Sequence, residues 1–318
     1  MKDQLKNRTL LSRLTPRLVF PFLVLAAFCT LTLPFLRSAS APMIITWGGN
    51  SGDWNRALHV SAIRIGCSDA SATCLREINQ TASEQHVSTV FLSIPLNPSR
   101  LPADAATYSS AAASHPAMKE VGFDDFVGQA QKTKLPPDQL SSVLLGFAQT
   151  LKSSGSVGFG VTLYENNLTS GDVNNLGLSS PLRQQVDYVH VFLHFRKQSH
   201  SISSYIDTSK QLFPNAKVLL GVYAYDRREY LPCAQGDQRH CSEQEEVDLF
   251  AQSLKQEVDL AQAGSVQGLE FCCGSFGQED TWKWWDNPRF CKAGEHDECV
   301  RNTKVMRDKT RQVMQSLR

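Results

Sequence analysis

Beyond residue 42 the chain alternates two kinds of segment. Short apolar, β-branched runs, several of them almost continuously apolar, occur at 43–47, 58–65, 88–94, 118–123, 158–164, 188–195, 217–225 and 267–271. The run VLLGVYAY is typical, and strands buried on both faces of a parallel sheet read this way. Between the runs, helical patterning predicts helices at 72–85, 103–113, 137–152, 202–212, 242–263 and 299–317. Ser242 and Glu245 form a capping-box signature, and Gly264 closes the same helix. Pro137 and Asp138 open another, with Gly155 beyond its end. Eight strands separated by helices predict one α/β domain over 42–318, a (β/α)8 barrel of the TIM type. The stretch 48–57 looks too short for a helix, so the barrel is expected to be irregular at its first crossover. An open doubly wound sheet is the alternative fold, but no G-x-G-x-x-G or Walker-type loop follows a strand.

The first residues read differently. Lys2, Lys6, Arg8, Arg13 and Arg17 are opposed only by Asp3 and precede an uncharged apolar stretch, 18–36. Ala39-Ser40-Ala41 then matches a small-x-small cleavage pattern. Residues 1–41 are therefore expected to be an export signal, or, if uncleaved, a single-pass anchor over 18–36. Either way the chain is expected outside the cytoplasm, secreted or in the cell envelope, with membrane contact only through that segment. Export changes the meaning of the nine cysteines. Disulfides become the expectation, with Cys67–Cys74, Cys233–Cys241 and Cys291–Cys299 as pairings that staple short loops. The adjacent Cys272 and Cys273 are read as two free, buried thiols or a strained bond between neighbours.

The balance of 32 Lys+Arg against 31 Asp+Glu gives no basic surplus, so no nucleic-acid partner is expected. In a (β/α)8 barrel the site collects at the C-terminal ends of the strands. There the sequence offers Asp124 and Asp125 after VGF, and Tyr164 and Glu165 after GVTL. It offers His194 and Arg196 after YVHVFL, Tyr225 and Asp226 after the next strand, and Glu270 near the end of the last. Each follows a long apolar run and is expected to be half-buried, and a buried charge is costly unless paired or used. A lone carboxylate at a strand end is usually a cap or a loop anchor, but several converging on one face suggest an active or binding site. Paired carboxyl groups suit glycoside hydrolysis, one protonated and one ionised. Tyr164, Tyr225, Trp284 and Trp285 would supply stacking faces for sugar rings, although the Trp cluster would equally serve as an apolar plug.

On these strand-end acids and this alternation the chain resembles the (β/α)8-barrel glycoside hydrolases. In their best-known clan the acid/base Glu ends the fourth strand and the nucleophilic Glu the seventh. If 58–65 is strand one, Glu165 and Glu270 take those places; if 43–47 is strand one, they fall on five and eight. The clan's Asn before its acid/base is here Tyr164, with Asn166 on the far side. The resemblance implies Glu165 as general acid/base, with Glu270 or Asp226 as its partner. Asp124, Asp125, Tyr164, His194, Arg196, Tyr225, Trp284 and Trp285 would bind substrate, an oligo- or polysaccharide, and no cofactor is implied.

Two other readings remain. GFDDFVG is similar to the T-F-D-D-G motif of metal-dependent polysaccharide deacetylases, but His194 and His200 are not spaced to share one helical face. A non-catalytic barrel could use the same aromatic and acidic groups to hold a glycan or a partner. Serine-nucleophile chemistry lacks its G-x-S-x-G motif.

Overall fold

The computed structural model of the chain describes residues 41–48, 52–193, 196–224, 243–272 and 296–315. They belong to one compact unit, Ala41–Arg318. The expected export segment lies outside the described residues, as do His194, Tyr225, Asp226, Trp284 and Trp285. Among the described residues no helix is long and apolar enough to cross a membrane.

The strands are β1 (Met43–Trp47), β2 (Ala62–Gly66), β3 (Thr89–Ser93), β4 (Met118–Phe123), β5 (Gly158–Tyr164), β6 (Val186–Phe192), β7 (Lys217–Tyr223) and β8 (Gly268–Cys272). All pair in parallel, each with the next in sequence, and β8 pairs with β1 to close the barrel. The chain is thus a (β/α)8 barrel. Closure leaves no open sheet edge, and every strand is buried on both faces.

The crossovers carry α1 (Gly52–Leu58), α2 (Ala72–Glu84), α3 (Leu101–Ala111), α4 (Phe126–Lys132) and α5 (Pro137–Lys152). Three short turns follow β5: α6 (Glu165–Thr169), α7 (Asp172–Asn175) and α8 (Ser180–Gln185). A 3-10 turn (Arg196–Ser201), α9 (Ile202–Leu212), α10 (Glu243–Gln262) and α11 (His296–Met314) complete the outer layer. The first crossover corrects expectation, because it does contain a helix. Leu58 ends α1 rather than opening a strand, and His59 breaks the run at φ 54 before β2 begins at Ala62. The apolar run over 58–65 belongs partly to that helix, which a short run cannot reveal.

Alternation along each strand separates two cores. Outward residues pack on the helices; Phe123, Phe126, Phe147 and Phe159 form one ring cluster there. Inward residues include a small apolar group, Ile45, Ala62, Phe91 and Leu219. A disulfide joins Cys67, just past β2, to Cys74 in the first turn of α2. Cys272 is also disulfide-bonded, which corrects the reading of it as a free thiol. Cys233, Cys241, Cys273 and Cys291 lie outside the described residues, and with them the other two expected pairings.

Candidate active site

The even strands each send one ionisable side chain into the barrel: Arg64 from β2, Glu120 from β4, His190 from β6 and Glu270 from β8. Inward residues of alternate strands stack in layers in such barrels, and here one layer is charged. Arg64 is 1% exposed and the other three are fully buried. Arg64 Nε donates to Glu270 Oε1 at 2.6 Å and Nη2 to Oε2 at 3.2 Å. Its Nη1 donates to Glu120 Oε1 at 3.2 Å. His190 Nε2 lies 2.9 Å from Glu120 Oε2, and His190 Nδ1 pairs with Glu270. Glycines make the room. Glu120 reaches up into space left by Gly122 and Gly160, where a Cβ would overlap its carboxylate.

Electrostatics follow from the contacts. Burial and the Arg64 charge push the His190 pKa down, but Glu120 and Glu270 outweigh them and raise it. Arg64 Nη2 also lies 2.9 Å from His190 Nδ1 and 2.7 Å from Nε2, so the ring sits among one guanidinium and two carboxyl groups. Burial alone would push Glu270 up; Arg64 and then His190 overcome this and hold it at about 2. The layer therefore brings one arginine and one histidine together with two glutamates. Arg64 also lies over the Trp47 and Phe91 rings, at 5.6 and 5.7 Å from their centroids. Arg64 fills the centre of these donors, and among the described residues no three His, Cys, Asp or Glu side chains are grouped to hold a metal.

Toward the C-terminal end of the strands stands Asp124, directly after β4. Burial raises its pKa first; Arg64 opposes this and the Glu270 charge adds to it. Asp124 therefore faces the charged layer. Asp125 adopts φ 46, ψ 50, a left-handed conformation unusual for a side-chain-bearing residue. Gln129 braces this turn, donating to Asp124 O and accepting from Leu96 N at 2.6 Å. Strained backbone held by its surroundings is a mark of functional turns.

The other expected site residues separate. Because β1 is Met43–Trp47, Glu165 follows the fifth strand and Glu270 lies within the eighth, so the fourth-and-seventh correspondence does not hold. Tyr164 occupies an inward position of β5, and the next residue, Glu165, turns to the helix layer. Glu165 is fully buried, and its charge acts on Tyr205 of α9. Arg196 also serves the helix layer. It pairs with Glu246 of α10, donates to Tyr223 O at 2.6 Å and lies 5.0 Å from the Phe250 ring centroid. Arg64, Glu120 and His190 were missed by looking at strand ends. The signal that finds them is a charge at inward parity inside an apolar strand, as in AIRIG, MKEVGF and VDYVHVF.

No protein-family model matches the sequence, and no curated protein matches it. The fold is similar to solved barrel structures. A GH99 endo-alpha-mannosidase from Bacteroides thetaiotaomicron matches with TM-score 0.44 and 12% identity, over 82% of this chain and 83% of that one. A GH30 endoxylanase from Clostridium papyrosolvens matches with TM-score 0.45 and 10% identity, over 85% and 72%. A type I 3-dehydroquinate dehydratase from Clostridium difficile matches with TM-score 0.40 and 9% identity, over 82% and 92%.

Proposed function

We propose that this is an exported, carbohydrate-active barrel protein of the glycoside-hydrolase type, with its site at the C-terminal mouth and Asp124 as proton donor. The observation that carries the reading is the opposed pair Asp124 and Glu270. Burial raises the Asp124 pKa, while Arg64 and His190 hold Glu270 ionised at about 2. Carboxyl groups pushed apart in this way suit acid–base work on a glycosidic bond. In this reading Asp124 protonates the leaving oxygen. Glu270 is a positioning residue: fully buried, it holds Arg64 and His190 beneath Asp124 and keeps the proton on Asp124. Asp226 remains the candidate for the second reacting carboxyl, since Glu165 turns to the helix layer, with Tyr164, His194, Tyr225, Trp284 and Trp285 as sugar contacts.

The complete burial of Glu270 and its ion pairs favours a second reading, in which the charged layer is structural and the mouth binds a glycan without cleaving it.

Product release from a panel of polysaccharides decides between them, run with the native chain, Asp124→Asn, Glu165→Gln and chelator-treated protein. Release lost in Asp124→Asn and untouched by chelator supports the hydrolase. Release that survives Asp124→Asn removes it as the acid. Acetate release abolished by chelator moves the assignment to a deacetylase. Binding without release supports the second reading.

A further inference from the structure

Asn79-Gln80-Thr81 and Asn167-Leu168-Thr169 both match the acceptor pattern for an asparagine-linked glycan, Asn two residues before a hydroxyl residue with no proline between. The fold sets the two apart. Asn79 stands in the middle of α2 and is exposed. Its Nδ2 donates to Ser114 O at 3.5 Å, a long and weak contact. Ser114 lies in the turn between α3 and β4, at the end of the barrel where the strands begin, so Asn79 stands on the outer layer away from the mouth. Leu75 lies one turn earlier on the same face of α2. With Ala106, Thr107, Ser110 and Ala111 of α3 it lines an open groove of about 480 Å³, which leaves space beside Asn79. Asn167 differs on each count. It lies in α6, just past the C-terminal end of β5, and is 8% exposed. Its Oδ1 accepts from Tyr164 N at 3.0 Å and so caps the helix. A sugar on this side chain would pull it out of a buried position and break that cap at the mouth.

We infer that Asn79, and not Asn167, carries an asparagine-linked glycan in the folded, exported chain. This rests on the export part of the proposed function and is independent of what the mouth binds. In the transfer, Asn79 Nδ2 bonds to the anomeric carbon of an oligosaccharide carried on a polyprenyl diphosphate. The anomeric C–O bond breaks, the diphosphate leaves with its electron pair, and the amide gives up one proton; nothing is oxidised or reduced. Transfer acts on the extended chain before α2 forms. Thr81 therefore supplies its hydroxyl to the acceptor pattern although it is only 6% exposed after folding. Folding then decides which position tolerates the glycan. At Asn79 the sugar extends into solvent beside the groove, only the weak Ser114 contact is given up, and the mouth stays clear.

The test is expression of the full chain in a eukaryotic secretory host, once with its own residues 1–41 and once with those residues replaced by a leader of established export. Chain is recovered from both the secretory compartment and the medium. Amidase release, which leaves an aspartate where a glycan was, followed by peptide mass mapping reads each position. Occupied Asn79 and bare Asn167 are expected. Asn79→Gln should remove the whole glycan mass, Asn167→Gln should leave it unchanged, and Thr81→Ser, which keeps the hydroxyl, should retain the glycan. A glycan on Asn79 that appears only with the replaced leader keeps the assignment and removes the export reading. A bare Asn79 with the replaced leader, or a glycan on Asn167 of the secreted chain, overturns the inference.

Discussion

Gly160 on β5 leaves open the space that the Glu120 carboxylate of β4 occupies; a Cβ at residue 160 would overlap the Oε1, Cδ and Cγ of Glu120. The absence of a side chain on one strand thus sets where a charge from its neighbour ends. Gly160→Ala should push Glu120 away from Arg64 and His190, and so break a buried pair. The expected cost is about 3 kcal/mol, read from urea unfolding. In Gly160→Ala combined with Glu120→Ala the loss should be well below the sum of the single losses, since both act on one contact. Additive losses would show that the glycine matters for some other reason.

Arg64 is the group that holds the layer together, with both glutamates within reach of one planar fork. Arg64→Met leaves two buried carboxylates facing His190 alone and should cost about 3–5 kcal/mol. Arg64→Lys should recover only part of this, because an ammonium cannot make the two-point contact with Glu270. Equilibrium denaturation reads both variants. A loss under about 1 kcal/mol for Arg64→Met would mean that the layer is not held by charge.

A further carboxyl lies on the helix side. Glu257 of α10 is buried, accepts from Ser253 Oγ at 3.0 Å through Oε1, and its Oε2 has no hydrogen-bond partner. Burial pushes its pKa up to about 8, against the Ser253 hydrogen bond and the charge of Arg196. The folded chain therefore binds this proton more tightly than the unfolded chain, whose value is near 4.5. The associated stability is complete below about 4.5 and is lost as pH rises through about 8. His190, also raised, acts in the same sense, whereas Glu270, held at about 2, contributes above 4.5 and is lost on acidification toward 2. Melting temperature should thus fall on both the acid and alkaline sides. Glu257→Gln should flatten the alkaline side and leave the acid side unchanged. An alkaline limb that persists undiminished in Glu257→Gln would assign it to His190 and other groups.

The barrel was legible because its strands are buried on both faces, so that β5 stands out as an apolar run with the bounds the structure gives it, and β4 keeps its expected bounds although it carries Lys119 and Glu120. The first crossover was not, because the run over 58–65 joins Leu58, the last residue of a two-turn helix, to β2 across the break at His59. The site was half legible. Looking at strand ends found Asp124, but side-chain parity decides where the others face. Tyr164 points in and the next residue, Glu165, points out. The charged layer came from inside the strands, where one Arg, one His and two Glu replace the aliphatic residues expected of a packed barrel.

The Cys67–Cys74 disulfide offers the last test, since it fastens the C-terminal end of β2, which carries Arg64, to the start of α2. It closes a loop with a sequence separation of 7. Chain entropy for a loop of that size predicts roughly 2–3 kcal/mol of stabilisation from restricting the unfolded chain. Local contacts add to it. Ser71 Oγ accepts from Cys74 N at 3.4 Å as the α2 cap, Tyr108 donates to Asp69 O at 3.0 Å, and its hydroxyl lies 3.6 Å from Cys74 Sγ. These hold the turn in place without the covalent bond. Cys67→Ser with Cys74→Ser should therefore fold to the same barrel but unfold at lower urea, with an unchanged slope. A steeper slope would place the effect in a more expanded unfolded chain, and an unchanged midpoint would show that the surrounding hydrogen bonds alone fix the turn.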